Sequence, residues 1–203
     1  MRPVILTRIC DAPPVSRREI LRYAGCREET EEIRTLLDGC IGEAADVLQY
    51  KICYTELPLT VREGVCDFGV FSVTSENLAG NLRGCTRAVL LAATTGAALD
   101  RLIARYGRIS PAKALFLQAF GAERIEALCD AFCAGLAETE RCRPRFSPGY
   151  GDLPITVQRQ IFSVLDCSRR IGLTLNDSYL MSPSKSVTAF VGLCDPAAPG
   201  GGV

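Results

Sequence analysis

The order of helical and strand patterns along the chain constrains its fold more than any single motif does. A doubly wound fold alternates strand and helix regularly, and this chain mixes the two without that alternation. We find no internal repeat and no linker that would divide the 203 residues. We therefore predict one α+β domain over residues 1–194, with a mixed or antiparallel sheet packed with helices, and a disordered tail over residues 195–203.

Capping signals and a 3.6-residue apolar period predict the helices. Ser16 can cap a first helix, with Glu19 returning the hydrogen bond. The longest helical pattern begins at Pro111, because proline at the first helical position forfeits no hydrogen bond. It continues to about Arg141, and Gly121 could bend or divide it. The other predicted helices have the sequences "EETEEIRTLLDGCIGEAADVLQ", "TSENLAGNLRG", "ALDRLIARYG" and "ITVQRQIFSVLDCSRRIG".

Strands are predicted where β-branched, aromatic and other apolar residues cluster between turn signals. One of these segments, "RAVLLAATTG", is apolar enough to indicate a buried strand. It runs directly into a predicted helix, as expected where strands and helices pack together. The other predicted strands have the sequences "YKICYTELPL", "DFGVFSV", "GLTLND" and "SVTAFVGLC".

The charge balance bears on possible partners, since 23 Lys and Arg residues face 23 Asp and Glu residues. Nucleic-acid binders ordinarily carry a basic surface that neutralises phosphates, so we expect no nucleic-acid partner. No apolar run approaches the roughly 20 residues that a membrane-spanning helix needs, and the first residues do not resemble a signal peptide. We therefore predict a cytoplasmic protein with no membrane association.

The chain contains eleven cysteines and no histidine, which limits its chemistry. Without histidine, Ser-His-Asp catalysis, Cys-His catalysis and histidine-ligated zinc are excluded. Cys129 and Cys133 have the i, i+4 spacing of one helix face, and we interpret them as core residues rather than metal ligands. We predict no metal site. Any chemistry must use carboxylates, arginine, tyrosine, hydroxyls, thiols or a bound cofactor.

The segment "CRPRFSPGYGDLP" admits two interpretations. Pro148 and Pro154 fix backbone torsions and Gly149 allows close approach, which suits any rigid turn. Arg145 adds a planar cation that matches a carboxylate in bidentate geometry, and Tyr150 adds a flat ring. The segment is thus either a stiff connection between helices or a loop that holds a zwitterion attached to an aromatic ring.

The RxxxGY pattern of this loop, followed by "GLTLNDSYLMSPSKSVTAF", resembles the S-adenosylmethionine-binding activation domain of cobalamin-dependent methionine synthase. The resemblance is clear from Arg145 to Phe190. The chain has no identifiable counterpart of an acidic residue that the family contributes from the early part of its domain. Val191 stands where the family often has tyrosine. The downstream positions that match the family pattern are Gly172, Leu175, Ser178, Met181, Pro183, Ser186 and Val187.

The resemblance implies a function in repairing oxidised cobalamin. The family's activation domain brings S-adenosylmethionine to an inactive cob(II)alamin, an electron donor such as a flavodoxin reduces the cobalt, and methyl transfer restores methylcobalamin. For this chain it implies a free-standing module that acts in trans on a corrinoid methyltransferase such as methionine synthase. Cobalamin would then be met only through the partner protein.

The resemblance also implies site residues, none of them catalytic. Arg145 would hold the ligand's carboxylate, and Asp130, on the preceding helix, would offer a carboxylate opposite the loop. Glu126, one helical turn earlier, is a rival acid, and Asp130 could instead be a solvated surface residue. The residues expected to line the ligand pocket with these two are Ser147, Pro148, Gly149, Tyr150 and Ser186.

Two other functions remain open at this point. The protein could bind S-adenosylmethionine without any transfer, as a sensor or as a docking protein for corrinoid proteins. It could also be a cysteine-rich globular protein that retains the fold without the ligand. Binding of S-adenosylmethionine would distinguish the reactivation module and the sensor or docking protein, which both bind it, from the globular protein that does not.

Overall fold

The computed structural model describes residues 3–194, so the tail predicted for residues 195–203 lies outside the described residues. The helices in this range are α1 (Arg17–Tyr23), α2 (Glu31–Ala44), α3 (Glu76–Asn81), α4 (Ala98–Ile109), α5 (Pro111–Ala137), α6 (Gln158–Leu165) and α7 (Cys167–Ile171). The strands are β1 (Leu6–Ile9), β2 (Lys51–Pro58), β3 (Thr60–Arg62), β4 (Val65–Asp67), β5 (Ser72–Thr74), β6 (Arg87–Thr94), β7 (Arg141–Cys142), β8 (Thr174–Leu175), β9 (Met181–Ser182) and β10 (Ser186–Cys194).

The predicted α+β class is confirmed by a central five-stranded antiparallel sheet in the order β1-β2-β6-β10-β7. Because side chains alternate along a strand, each central strand contributes to both faces of the sheet. Val191 packs against the C-terminal half of α5 on one face, and Phe190 packs with α6 and α7 on the other. A third apolar cluster joins α1, α2 and α4 to the N-terminal half of α5.

Helix α5 is continuous, so the break considered at Gly121 does not occur. A Cβ at this position would collide with Leu99 Cδ2 and lie 2.9 Å from Lys185 Cγ, so the glycine allows close packing. The helix ends at Ala137, earlier than predicted, because Arg141 instead pairs with the end of β10.

Two other predicted elements are divided by local turns. The segment "DFGVFSV" is split because Asp67 Oδ1 accepts the Gly69 N–H at 2.8 Å, which turns the chain between β4 and β5. The helix predicted over residues 155–172 breaks at Asp166, whose φ of 50° is left-handed. Of the predicted strand "GLTLND", only the two residues of β8 pair, with β9. Strands β1, β3, β7 and β9 were not predicted.

The cysteines are mostly core residues, as expected for thiols scattered singly. Cys85 and Cys194 form a disulfide that joins the start of β6 to the end of β10. The free cysteines that are fully buried within residues 3–194 are Cys40, Cys53, Cys66, Cys129 and Cys167. No group of His, Cys, Asp and Glu side chains in this range is arranged to hold a metal ion. None of its helices combines the length and apolarity of a bilayer-spanning segment.

Candidate functional site

The loop after β7 runs along one edge of β10 and then turns away from it. Phe146 and Phe190 exchange two backbone hydrogen bonds of 2.9 and 2.8 Å, which extends the sheet by one residue pair. The chain then folds back on itself, and Gly149 N–H donates to Leu153 O at 2.9 Å. Gly149 has a φ of 92°, a conformation that strongly favours glycine. The first half of the loop therefore has a fixed position against the sheet.

Asp152 attaches the second half of this loop to α3. Its carboxylate accepts a hydrogen bond from the Ser75 hydroxyl, one from Glu76 N–H at 2.7 Å and one from Asn77 N–H at 3.2 Å. The Asp152 N–H in return donates to Asn77 Oδ1 at 3.1 Å. The pKa of Asp152 is lowered, chiefly by the hydrogen bond from the Ser75 hydroxyl and to a smaller extent by those from the backbone N–H groups of Glu76 and Asn77. A helix N-terminus thus positions the predicted ligand loop.

Arg145 reaches from the loop to α5, where it meets both acids considered in the sequence. Its Nη2 donates to Asp130 Oδ1 at 2.5 Å and to Glu126 Oε2 at 3.1 Å. The Arg145 side chain is 19 % exposed, whereas Asp130 is 71 % and Glu126 42 % exposed. Burial lowers the pKa of Arg145, but the negative charges of its partners Glu126 and Asp130 help to hold that pKa above its ordinary value.

These three charged residues stand at a cavity of about 760 Å³ between α5, the loop and the edge of β10. Among the predicted site residues, the wall contains Asp130, Arg145, Ser147, Pro148, Tyr150 and Ser186. Gly149 does not line this wall, and a Cβ at its position would meet Ile155 Cδ1 at 3.2 Å. Tyr150 is 69 % exposed and lies at the rim. The wall also contains Glu126, Cys133, Arg143, Pro144, Phe146, Gln158, Met181, Val187 and Thr188.

Sequence reasoning missed two polar members of this wall. Gln158 begins α6 and Thr188 lies in β10, and they are 5 % and 2 % exposed. Thr188 could have been noticed, because it is a polar residue among apolar residues in a predicted strand. Gln158 gave no comparable signal, since a polar residue in an amphipathic helix is ordinarily on its solvent face.

The thiols near the cavity are unreactive at neutral pH. Burial raises the pKa of Cys133, in the cavity wall, to about 11, and that of Cys129, behind it, to about 12. A thiol with such a pKa is protonated at neutral pH, and only the thiolate is a strong nucleophile. The cavity therefore combines the guanidinium groups of Arg143 and Arg145 with two carboxylates and neutral polar groups, which suits binding of a charged small molecule rather than covalent catalysis.

Comparison with known proteins found a family model that matches the C-terminal part of the chain and a solved structure with a similar fold. Residues 125–198 match the family model of the vitamin B12 dependent methionine synthase activation domain. No curated protein matches the chain. Among solved structures, a MetH reactivation domain bound to AdoHcy matches with a TM-score of 0.69 and 14 % identity, over 94 % of this chain and 78 % of that one. The chain thus has the fold of a methionine synthase reactivation domain, and its residues 125–198 carry the sequence signature of that activation-domain family.

Proposed function

We propose that the cavity binds S-adenosylmethionine and that the protein presents it, in trans, to a corrinoid methyltransferase such as methionine synthase. In this function the partner holds the cobalamin, a flavodoxin or similar donor supplies the electron, and the reaction takes place in the cytoplasm. The observation that carries the proposal is Arg145 at the cavity wall, inside the matched family segment. The AdoHcy in the similar reactivation domain supports a ligand of the same class.

The cavity fits this ligand in size and charge. A volume of about 760 Å³ lies within the range of roughly 300–1,000 Å³ typical of small-molecule sites. S-adenosylmethionine carries a carboxylate, an ammonium and a sulfonium. Arg145 complements the carboxylate, and Glu126 and Asp130 complement the two cations.

The ion pairs of Arg145 leave room for a ligand carboxylate. Glu126 and Asp130 both accept from a single nitrogen, Nη2. A guanidinium carries five N–H donors in a fixed plane, so the same side chain can bind another carboxylate. The two acids also hold the Arg145 side chain in place, which lowers the entropy that binding would cost.

The chemistry asks little of the protein's own residues. A bound S-adenosylmethionine supplies a methyl group already activated by the sulfonium, so the transfer requires no general base. The cavity residues bind and orient the ligand, which is the main demand when the group to be transferred is already reactive. The protonated Cys133 thiol does not compete for that methyl group.

A second candidate function is binding of S-adenosylmethionine without any transfer, as a sensor or docking protein. The lack of a reactive thiolate in the cavity is equally compatible with that function. The two candidates differ only in what happens when a corrinoid partner is present.

Reactivation of an oxidised partner distinguishes the two. A methionine synthase without its own activation domain is loaded with cob(II)alamin and mixed with this protein, S-adenosylmethionine and a reduced flavodoxin. We expect methyltransferase activity to return only in the complete mixture. If S-adenosylmethionine binds but no activity returns with any corrinoid methyltransferase tested, the protein is a binding protein and the transfer proposal is wrong.

A further inference from the structure

Two residues of the cavity wall each hold a buried oxygen atom that lacks any hydrogen-bond partner among residues 3–194, namely Gln158 Oε1 and Thr188 Oγ1. Both belong to side chains that are at least nine-tenths buried. Buried polar groups are ordinarily paired, and leaving one unpaired is costly, so two at a single cavity require an explanation. The other such oxygen in this range, Asn81 Oδ1, lies on α3 outside the wall.

Ser186, in the same wall and on the same strand, shows the ordinary situation. Its hydroxyl is paired with Thr94 Oγ1 and Pro183 O, each at 2.8 Å. Thr188, two residues further along β10, has no comparable partner for its hydroxyl in the described chain. Thr188 thus differs from Ser186, its neighbour on the same face of β10, in having a buried hydroxyl that the described chain does not pair.

The backbone of β10 faces the same space. Phe190 N–H and C=O both bond to Phe146, across the outer edge of the strand. Because backbone groups alternate in direction along an antiparallel strand, those of Thr188 point to that same edge. Beyond Phe146 the loop leaves the edge, and the cavity begins where the next residue pair would have formed. This part of the wall thus presents a neutral set of donors and acceptors.

The charged and neutral parts of the wall correspond to different parts of one ligand. Arg145, Glu126 and Asp130 complement the zwitterionic methionine part and its sulfonium. The adenosine part is uncharged and carries an amine, ring nitrogens and ribose hydroxyls, which need neutral hydrogen-bond partners. We infer that Gln158 and Thr188 bind the adenosine moiety of S-adenosylmethionine, an assignment that rests on the function proposed above.

Two nearly isosteric substitutions test this inference, namely Thr188→Val and Gln158→Met. Each removes an oxygen that the protein itself does not pair, so the melting temperature without ligand should stay the same or rise. Each should weaken S-adenosylmethionine binding by about twofold to tenfold, the effect of one neutral hydrogen bond. Calorimetry should show the same loss with 5′-methylthioadenosine, which keeps the adenosine part and lacks the amino acid.

Thr55→Val is a matched control on another strand. Its buried hydroxyl donates to Val4 O at 2.8 Å, so the substitution should lower the melting temperature and leave ligand affinity unchanged. Thr188→Val should show the opposite pattern. A lowered melting temperature for Thr188→Val would reveal a structural partner of the hydroxyl and overturn its assignment.

The remaining outcomes separate this inference from the proposed function. If the wild-type protein does not bind S-adenosylmethionine, the proposed function fails and the inference fails with it. If the wild type binds and both folded variants bind equally well, only the inference is wrong. A loss with S-adenosylmethionine but none with 5′-methylthioadenosine would assign the two side chains to the methionine part instead.

Discussion

Arg124 and Arg145 both form ion pairs with acids of α5, but only Arg145 opens onto a cavity. Arg124 is fully buried, bonds to Glu123 through Nε and Nη2, and donates to Pro13 O and Pro14 O. Arg145 is partly exposed and is paired with acids that water also reaches. An arginine whose partners are all buried is structural, whereas an arginine whose partners are exposed to water can exchange them for a ligand.

The Arg124 group also explains how the N-terminal segment is held. Glu123 Oε1 accepts the Ser16 N–H at 2.9 Å, the bond that the sequence assigned to Glu19. Burial lowers the pKa of Arg124, but Glu123 and Tyr50 outweigh it, so the net pKa lies above its ordinary value. The guanidinium therefore remains charged and connects α5 to the segment before α1.

Removal of Arg124 should have the largest effect on stability. Arg124→Met leaves Glu123 buried without its cation, and we expect a loss of about 3–5 kcal/mol in the free energy of unfolding. Urea denaturation measures it, and the double variant with Glu123→Met should recover part of the loss. A loss below about 1 kcal/mol would show that the two arginine sites are not as different as their burial indicates.

Asp130→Asn should have a moderate effect, on ligand affinity rather than on stability. The carboxylate is largely solvated, so its contribution is discounted to about 1 kcal/mol, or roughly fivefold in the Kd of S-adenosylmethionine. Calorimetry with Glu126→Gln beside it compares the two acids. If Asp130→Asn binds like the wild type and Glu126→Gln does not, Glu126 is the carboxylate that faces the ligand.

Tyr150→Leu should have a smaller effect, since the ring lies at the rim. The substitution keeps apolar bulk and removes the ring and hydroxyl, and we expect about a twofold to threefold rise in Kd from lost ring contact. The same calorimetric titration measures it. Full retention of affinity would leave Tyr150 as a rim residue with no contact to the ligand.

Asp152 gives a pH-dependent test of the loop anchor. Its pKa is lowered in the folded state, so it stabilises the fold above the unfolded pKa of about 3.9 and loses that contribution as pH falls through the folded value. The melting temperature of Asp152→Asn should therefore lie below that of the wild type at pH 7, and the gap should close in acid. A gap that stays constant down to pH 2 would rule out the carboxylate as its source.

Sequence alone predicted the charged half of the site better than the neutral half. Arg145 stands in a motif whose residue types indicate an anion site, the family resemblance adds Asp130, and both residues line the cavity. Gln158 and Thr188 become notable only through burial and missing partners, which no sequence pattern records. Among the elements, β1 is short and all four of its residues are exposed, so it lacks the alternation of buried and exposed residues that predicts a strand. The break at Asp166 depends on one backbone conformation.

Calorimetric titration of S-adenosylmethionine into the wild type, Arg145→Ala and Arg143→Ala tests the central claim most directly. Arg143 also lines the cavity, but its guanidinium donates to Arg83 O at 2.8 Å, so its removal should matter less. We expect the wild type to bind and Arg145→Ala to bind about tenfold to a hundredfold more weakly, the loss of one charge-assisted pair. Unchanged affinity in a folded Arg145→Ala variant would contradict the account.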